Sequence, residues 1–165
     1  NSLVEENLAK EALIIQRKAK KFNCKLILPT DVVYGKNIED KKPINCKIEK
    51  IKSNKMILDI GIDTINKINY EILKSKMVLW NGPVGAFEYK PYDNATNEIA
   101  KTLKLNAKKN NIITLAGGGD TIAAIKNSNA EDSFNYISNA GGAFLEWLEG
   151  NESPGVIALK ENKLI

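Results

Sequence analysis

The chain has 165 residues, 43% of them hydrophobic and 27% charged, a composition that fits one globular domain with a real core and leaves little room for two. It contains no histidine, which excludes imidazole relays, imidazole bases and histidine metal sites. The formal charge of +4 is nearly all lysine, with Arg17 the single arginine, so the bidentate forks that read bases are missing and no nucleic-acid partner is expected.

The opening stretch places Leu3, Val4, Leu8, Ala12, Leu13 and Ile15 near helical spacing, with Glu5 and Glu6 early and Lys18, Lys20 and Lys21 late. That order suits the helix dipole and predicts that the chain begins inside a helix. Lys-Leu-Ile-Leu-Pro at 25–29 reads as a short buried strand, and Ile44–Ile48 as an edge strand within a polar stretch. Met-Ile-Leu-Asp-Ile-Gly at 56–61 is another short apolar element. Asp63 or Thr64 is placed to cap a helix through Ile65, Ile68, Ile72 and Leu73.

From residue 77 a pattern sets in. Met-Val-Leu-Trp (77–80) runs into Asn-Gly-Pro-Val-Gly, and a helix follows over 95–105. Ile-Ile-Thr-Leu-Ala (112–116) runs into Gly-Gly-Gly-Asp, and Phe-Asn-Tyr-Ile-Ser (134–138) into Asn-Ala-Gly-Gly, each with a helix after it. Strands alternating with helices predict an α/β fold with a parallel, Rossmann-like sheet covered by helices on both faces. In such a sheet the strand-to-helix turns share one edge, where ligands bind. No apolar run reaches the ~18 residues of a membrane span, and the first residues lack the order of an export signal. Cys24 and Cys46 lack ligand spacing and read as reduced structural thiols.

Each glycine turn has two readings. Gly117-Gly118-Gly119-Asp120-Thr121 offers helix-start amides for phosphate and, in Asp120, an oxygen ligand for magnesium; the alternative is a tight turn capped by Asp120. Ser138-Asn139-Ala140-Gly141-Gly142 is either a second anion-binding turn or a close-packed one. Glu88 either accepts hydrogen bonds from ribose or is a solvated surface charge, while Trp80 and Phe87 read as core. Opposed amide donors can stabilise a phosphoryl group in flight without a side-chain base. Neither GxGxxG nor a Walker motif occurs.

Leu-Trp-Asn-Gly-Pro-Val-Gly-Ala-Phe-Glu (79–88), Ala-Gly-Gly-Gly-Asp-Thr (116–121) and the stretch from Ser138 to Gly150 resemble the phosphoglycerate kinase family. Pro-Thr-Asp-Val (29–32), Leu-Asp-Ile-Gly (58–61) and Ser-Pro-Gly-Val-Ile-Ala-Leu (153–159) extend the likeness over essentially the whole chain. The resemblance implies a cytoplasmic glycolytic kinase that transfers a phosphoryl group between 1,3-bisphosphoglycerate and ADP, using magnesium. It places residues 1–165 in the later part of the C-terminal, nucleotide-binding domain. The first βαβ unit of that domain and the N-terminal domain that binds 3-phosphoglycerate have no counterpart here.

By the same resemblance Gly118, Gly119, Asp120 and Thr121 hold the nucleotide phosphates, with Asp120 facing magnesium. Asn81 and Pro83 line the nucleotide site, Glu88 binds ribose, Leu58 faces adenine, and Gly141 and Gly142 offer amides to the transferring group. Ile57 stands where glycine is common in the family, implying a tighter adenine slot; Asn139 and Ala140 stand in place of threonine and glycine. The expectation is a monomeric parent enzyme and an isolated chain without activity. The alternatives are a non-catalytic nucleotide- or anion-binding module, and a remnant that associates with itself to cover an open sheet edge.

Overall fold

The computed structural model describes residues 8–52, 54–139, 141–151 and 154–161. It divides into two units, residues 1–72 with 84–99 and residues 73–83 with 100–165. Residues 1–7, the first part of the expected opening helix, lie outside the described residues, as does Ala140.

In the first unit, α1 (Ala9–Lys21) carries Glu11 in its first turn and Lys18, Lys20 and Lys21 in its last, the charge order that the helix dipole favours. Three strands follow: β1 (Asp31–Gly35), β2 (Ile44–Lys47) and β3 (Met56–Ile60). They form an antiparallel sheet in the order β2-β1-β3. The edge strand at 44–48 is therefore present, but the buried strand expected at 25–29 is not. Leu26 and Leu28 there are 42% and 58% exposed, and the central strand is Asp31–Gly35 instead. An apolar run shows which residues favour burial and says nothing of the backbone partner; Val32, Val33 and Tyr34 find partners on both sides.

The next helix, α2 (Ile62–Lys74), starts before the two residues expected to cap it. Its cap is Asp31, from the start of β1. The Asp31 Oδ2 accepts the Asp63 N–H at 3.0 Å, and Oδ1 accepts the Thr64 N–H at 2.8 Å and the Thr64 hydroxyl at 2.6 Å. Burial opposes ionisation of this carboxyl, but the Thr64 hydroxyl and the two amides outweigh it and hold it below its ordinary range. The core of this unit gathers Val32, Tyr34, Leu58, Ile65, Ile72 and Tyr92.

The second unit holds the parallel sheet that the alternation of elements predicts. Its strands β4 (Met77–Trp80), β5 (Ile113–Gly117) and β6 (Tyr136–Ser138) lie in the order β4-β5-β6. The helices are α3 (Asn94–Asn106), on which Ile99 and Leu103 are buried, α4 (Gly119–Asn127), α5 (Gly141–Leu148) and α6 (Pro154–Glu161). Strand alternation buries Trp80, Thr114 and Ala116, whereas Met77, Ile113 and Tyr136 are exposed. Asn23 and Asn129 adopt φ of 53° and 50° just after α1 and α4, the left-handed residue with which helices commonly end, and Asn111 takes φ of 52° in the turn that leads into β5. The asparagines thus include three backbone-specific positions.

Candidate functional site

The register of the parallel sheet aligns its turns. Trp80 pairs with Ala116, and Gly117 pairs with Ser138. The segments that begin at Asn81, Gly118 and Asn139 therefore leave three adjacent strands at the same edge, the C-terminal edge where open α/β sheets take ligands. This is the arrangement of glycine loops expected from the sequence.

Two buried side chains shape the first of these turns. The Trp80 indole N–H donates to the Gly82 carbonyl at 2.7 Å, while its ring, 8% exposed, packs 6.2 Å from that of Phe134. The Thr121 hydroxyl accepts the Gly82 N–H at 2.7 Å. Thr121, expected among the phosphate ligands, is 1% exposed and ties the Asn81–Pro83 turn to the start of α4. Gly82 takes φ of 109° with no atom within 4 Å of a Cβ built there, so glycine is needed for its backbone conformation and not for space.

Gly118 is the N-cap of α4, with φ of 95° and ψ of 140° and no side-chain cap bond. That region of backbone space is almost confined to glycine. A Cβ at 118 would stand 3.3 Å from the Asn81 Oδ1, so the structure brings Asn81 and Gly118 together. Asp120 is not the cap; it lies in the first turn, exposed, next to the exposed Gly119. The first amides of α4 have no intrahelical acceptor, and among the described residues no side-chain cap bond is made at its N-cap. On the third strand α5 opens at Gly141, and among the described residues nothing lies within 4 Å of a Cβ built at Gly142. Both helix starts offer donors and partial positive charge to an anion. Pro83, in the first turn, is half-buried.

The first unit holds the remaining two candidates. Leu58 is 6% exposed on β3 and lines a cavity of about 750 Å³ with Leu28, Val32, Ile48 and Ala86. Ile57, at 38% exposure, forms part of the same wall. The Ala86 N–H donates to the Leu58 carbonyl at 2.7 Å, fastening to β3 the segment that leads to Glu88, which is exposed. Sequence reasoning missed two residues at this junction, Asp59 and Gly85. Asp59 is 3% exposed, and its Oδ2 accepts the Ala95 N–H at the start of α3 at 3.0 Å. Burial first, and then the charge of Asp93, push its carboxyl up to about 7. The only signal available was an acid inside the apolar run Met56–Gly61.

Among the described residues no group of three or more His, Cys, Asp or Glu is placed to cage a metal ion, and no helix is long and apolar enough to cross a membrane. The donor set at Asp120 suits a hard cation that arrives with phosphate oxygens and water and needs only one carboxylate from the protein, as magnesium does.

A sequence model of the phosphoglycerate kinase family matches residues 1–151. Phosphoglycerate kinase of Bartonella bacilliformis is 42% identical over 162 residues, covering 98% of this chain and 40% of that protein. The Rhodopseudomonas palustris enzyme of the same name is 44% identical over 160 residues, covering 96% and 40%. The solved phosphoglycerate kinase of Coxiella burnetii superposes with a TM-score of 0.86 at 34% identity, over 92% of this chain and 39% of that one. The Pyrococcus horikoshii enzyme superposes with a TM-score of 0.71 at 25% identity, over 94% and 38%. The chain thus spans about 40% of the length of the curated relatives it matches.

Proposed function

This chain belongs to the phosphoglycerate kinase family, and from that premise we propose that it is the nucleotide side of an enzyme that moves a phosphoryl group between 1,3-bisphosphoglycerate and ADP, or between ATP and 3-phosphoglycerate in reverse. The observation that carries this reading is the alignment of three glycine turns at the C-terminal edge of β4-β5-β6. In the second unit the open amides at Gly118, Gly119 and Asp120 receive nucleotide phosphates, held in place by Thr121, with Asn81 and Pro83 beside them. Gly141 and Gly142 donate to the phosphoryl group in transfer. In the first unit Leu58 faces adenine and Glu88 the ribose hydroxyls.

Transfer of this kind needs little covalent help from the protein. Negative charge spread over the equatorial oxygens is met by amides already pointing at it, which need not reorganise during the reaction. This suits a chain without histidine. Asp120 would hold magnesium, which when bound supplies positive charge against the phosphates. The acceptor is held by a further domain of a longer protein, so this chain alone transfers nothing. Aligning two reactants is worth roughly 7–11 kcal/mol of barrier, and one reactant has no seat here.

The assay is 1,3-bisphosphoglycerate formation from 3-phosphoglycerate and Mg-ATP. Full-length protein should turn over at ~1–100 per second, and the 165-residue chain at none measurable. Full-length protein that binds Mg-ADP without turnover would instead support the non-catalytic binding module. Turnover at the full rate by the chain alone would require an acceptor site within it.

A further inference from the structure

Residues 84–96 are fastened twice to β3 of the first unit and once to themselves. The Ala86 N–H donates to the Leu58 carbonyl at 2.7 Å. The Thr96 hydroxyl accepts the Val84 N–H at 3.0 Å and donates to the Val84 carbonyl at 2.7 Å. The Ala95 N–H, at the start of α3, donates to the Asp59 Oδ2 at 3.0 Å. Asp59 also meets the segment at its other end, because a Cβ built on Gly85 would stand 2.4 Å from its Oδ1 and 2.9 Å from the Leu58 carbonyl. Gly85 takes φ of 69°, so the chain adopts a left-handed turn to pass over this carboxylate. One buried side chain thus touches both ends of the segment that carries Phe87 and Glu88.

We infer that Asp59 is a positioning residue for nucleotide: by holding residues 84–95 on β3 it sets the spacing between Leu58 and Glu88, and so the affinity for the nucleoside part of ADP or ATP. The inference rests on the reading of Leu58 and Glu88 given above. An ordinary cap on α3 would contribute to stability without discriminating between substrates.

The carboxylate also links this arrangement to pH. Asp93, in the turn before α3, is the charged group that faces it. With the segment closed the Asp59 carboxyl is pushed up to about 7, whereas opening it to water returns the group toward its ordinary value. The closed arrangement therefore binds the proton more tightly, and the segment loosens as pH rises from about 4 to about 7 and stays level above that. A neutral side chain of the same shape should stay closed at every pH.

The experiment uses the full-length protein, with Mg-ADP titrated calorimetrically and steady-state kinetics run from pH 5 to 8.5. Wild-type protein that fails to bind Mg-ADP overturns the proposed function and, with it, the premise. Given binding, Asp59→Ala should raise the KM for nucleotide about tenfold and leave that for 3-phosphoglycerate within twofold. The advantage of Asp59→Asn over wild type in nucleotide affinity should grow from pH 5 to about 7 and hold level above it. Comparing variant with wild type at each pH cancels the titration of ADP itself. Equal changes in both KM values, or parallel pH profiles for wild type and Asp59→Asn, would overturn the inference. Amide exchange over residues 84–95 is an independent readout should Asp59→Ala not fold. Corrected for the chemical rate, exchange in wild type should accelerate between pH 5 and about 7 relative to Asp59→Asn and run parallel above that, and coincident profiles would count equally against it.

Discussion

Replacing Asp59 by asparagine should make the stability of this protein less sensitive to pH. The carboxyl rises from an ordinary 3.8 to about 7 on folding, so the native state binds a proton that the unfolded chain has already released. The sign follows: stability from this group is fully present below about pH 4 and declines as pH rises to about 7, then stays level. Each pH step across that window costs about 1.4 kcal/mol, which sets a ceiling of about 4 kcal/mol, less whatever relaxation and water entry recover. Asparagine keeps an acceptor for the Ala95 N–H and loses the ionisable group; its NH₂ set against the Ile60 N–H costs about 1 kcal/mol. The variant should therefore be slightly less stable than wild type near pH 4 and more stable, by up to about 3 kcal/mol, at pH 8. Urea unfolding followed by circular dichroism at half-unit pH intervals measures the difference, in which titrations common to both proteins cancel. A difference that does not change with pH, or that favours wild type increasingly as pH rises, would refute the buried, charge-penalised Asp59 on which the reasoning depends.

Asp31→Ala should lower stability at pH 7 by about 2 kcal/mol, since two amides of α2 and the Thr64 hydroxyl lose their acceptor. This carboxyl is held below its ordinary range, so the deficit should shrink as pH falls below about 4, and a constant deficit down to pH 2 would contradict the cap. Thr121→Val removes the acceptor for the Gly82 N–H in a buried place and should cost about 1–3 kcal/mol while weakening nucleotide binding; Thr121→Ser should restore both, and failure to do so would show that the hydroxyl is not the tie. Asp120→Asn should weaken Mg-ADP binding more than metal-free ADP binding, because an amide is a poorer ligand for a hard cation. Its stability should change by less than about 1 kcal/mol, and equal losses of affinity with and without magnesium would deny Asp120 its metal role.

The parts of the fold that could be read from the sequence share one property: the signal lies within a few residues. Met77–Trp80, Ile113–Gly117 and Tyr136–Ser138 are short runs bounded by glycine and followed by helices, and a strand-helix-strand order demands parallel pairing. The antiparallel sheet was harder. Lys25–Pro29 has the apolar run and Asp31–Gly35 has the pairing partners, and which of two neighbouring segments enters a sheet depends on residues 44–47 and 56–60 coming back to meet it. Similarly, Asp63 and Thr64 have the right letters to cap α2, but Asp31 already supplies the acceptor from about 30 residues away.

By itself the sequence determined the α/β class, the three glycine turns on one edge, the family, and the set of residues at which to look for nucleotide. Those features follow from local periodicity, from the backbone freedom of glycine and from motifs whose spacing is short. Tertiary structure alone decided that Thr121 binds Gly82, that Gly118 and not Asp120 caps α4, and that Asp59 joins β3 to both ends of residues 84–95. The physical reason is that a buried polar atom must find a partner wherever the returning chain brings one, and the chain's return is a property of the packed whole.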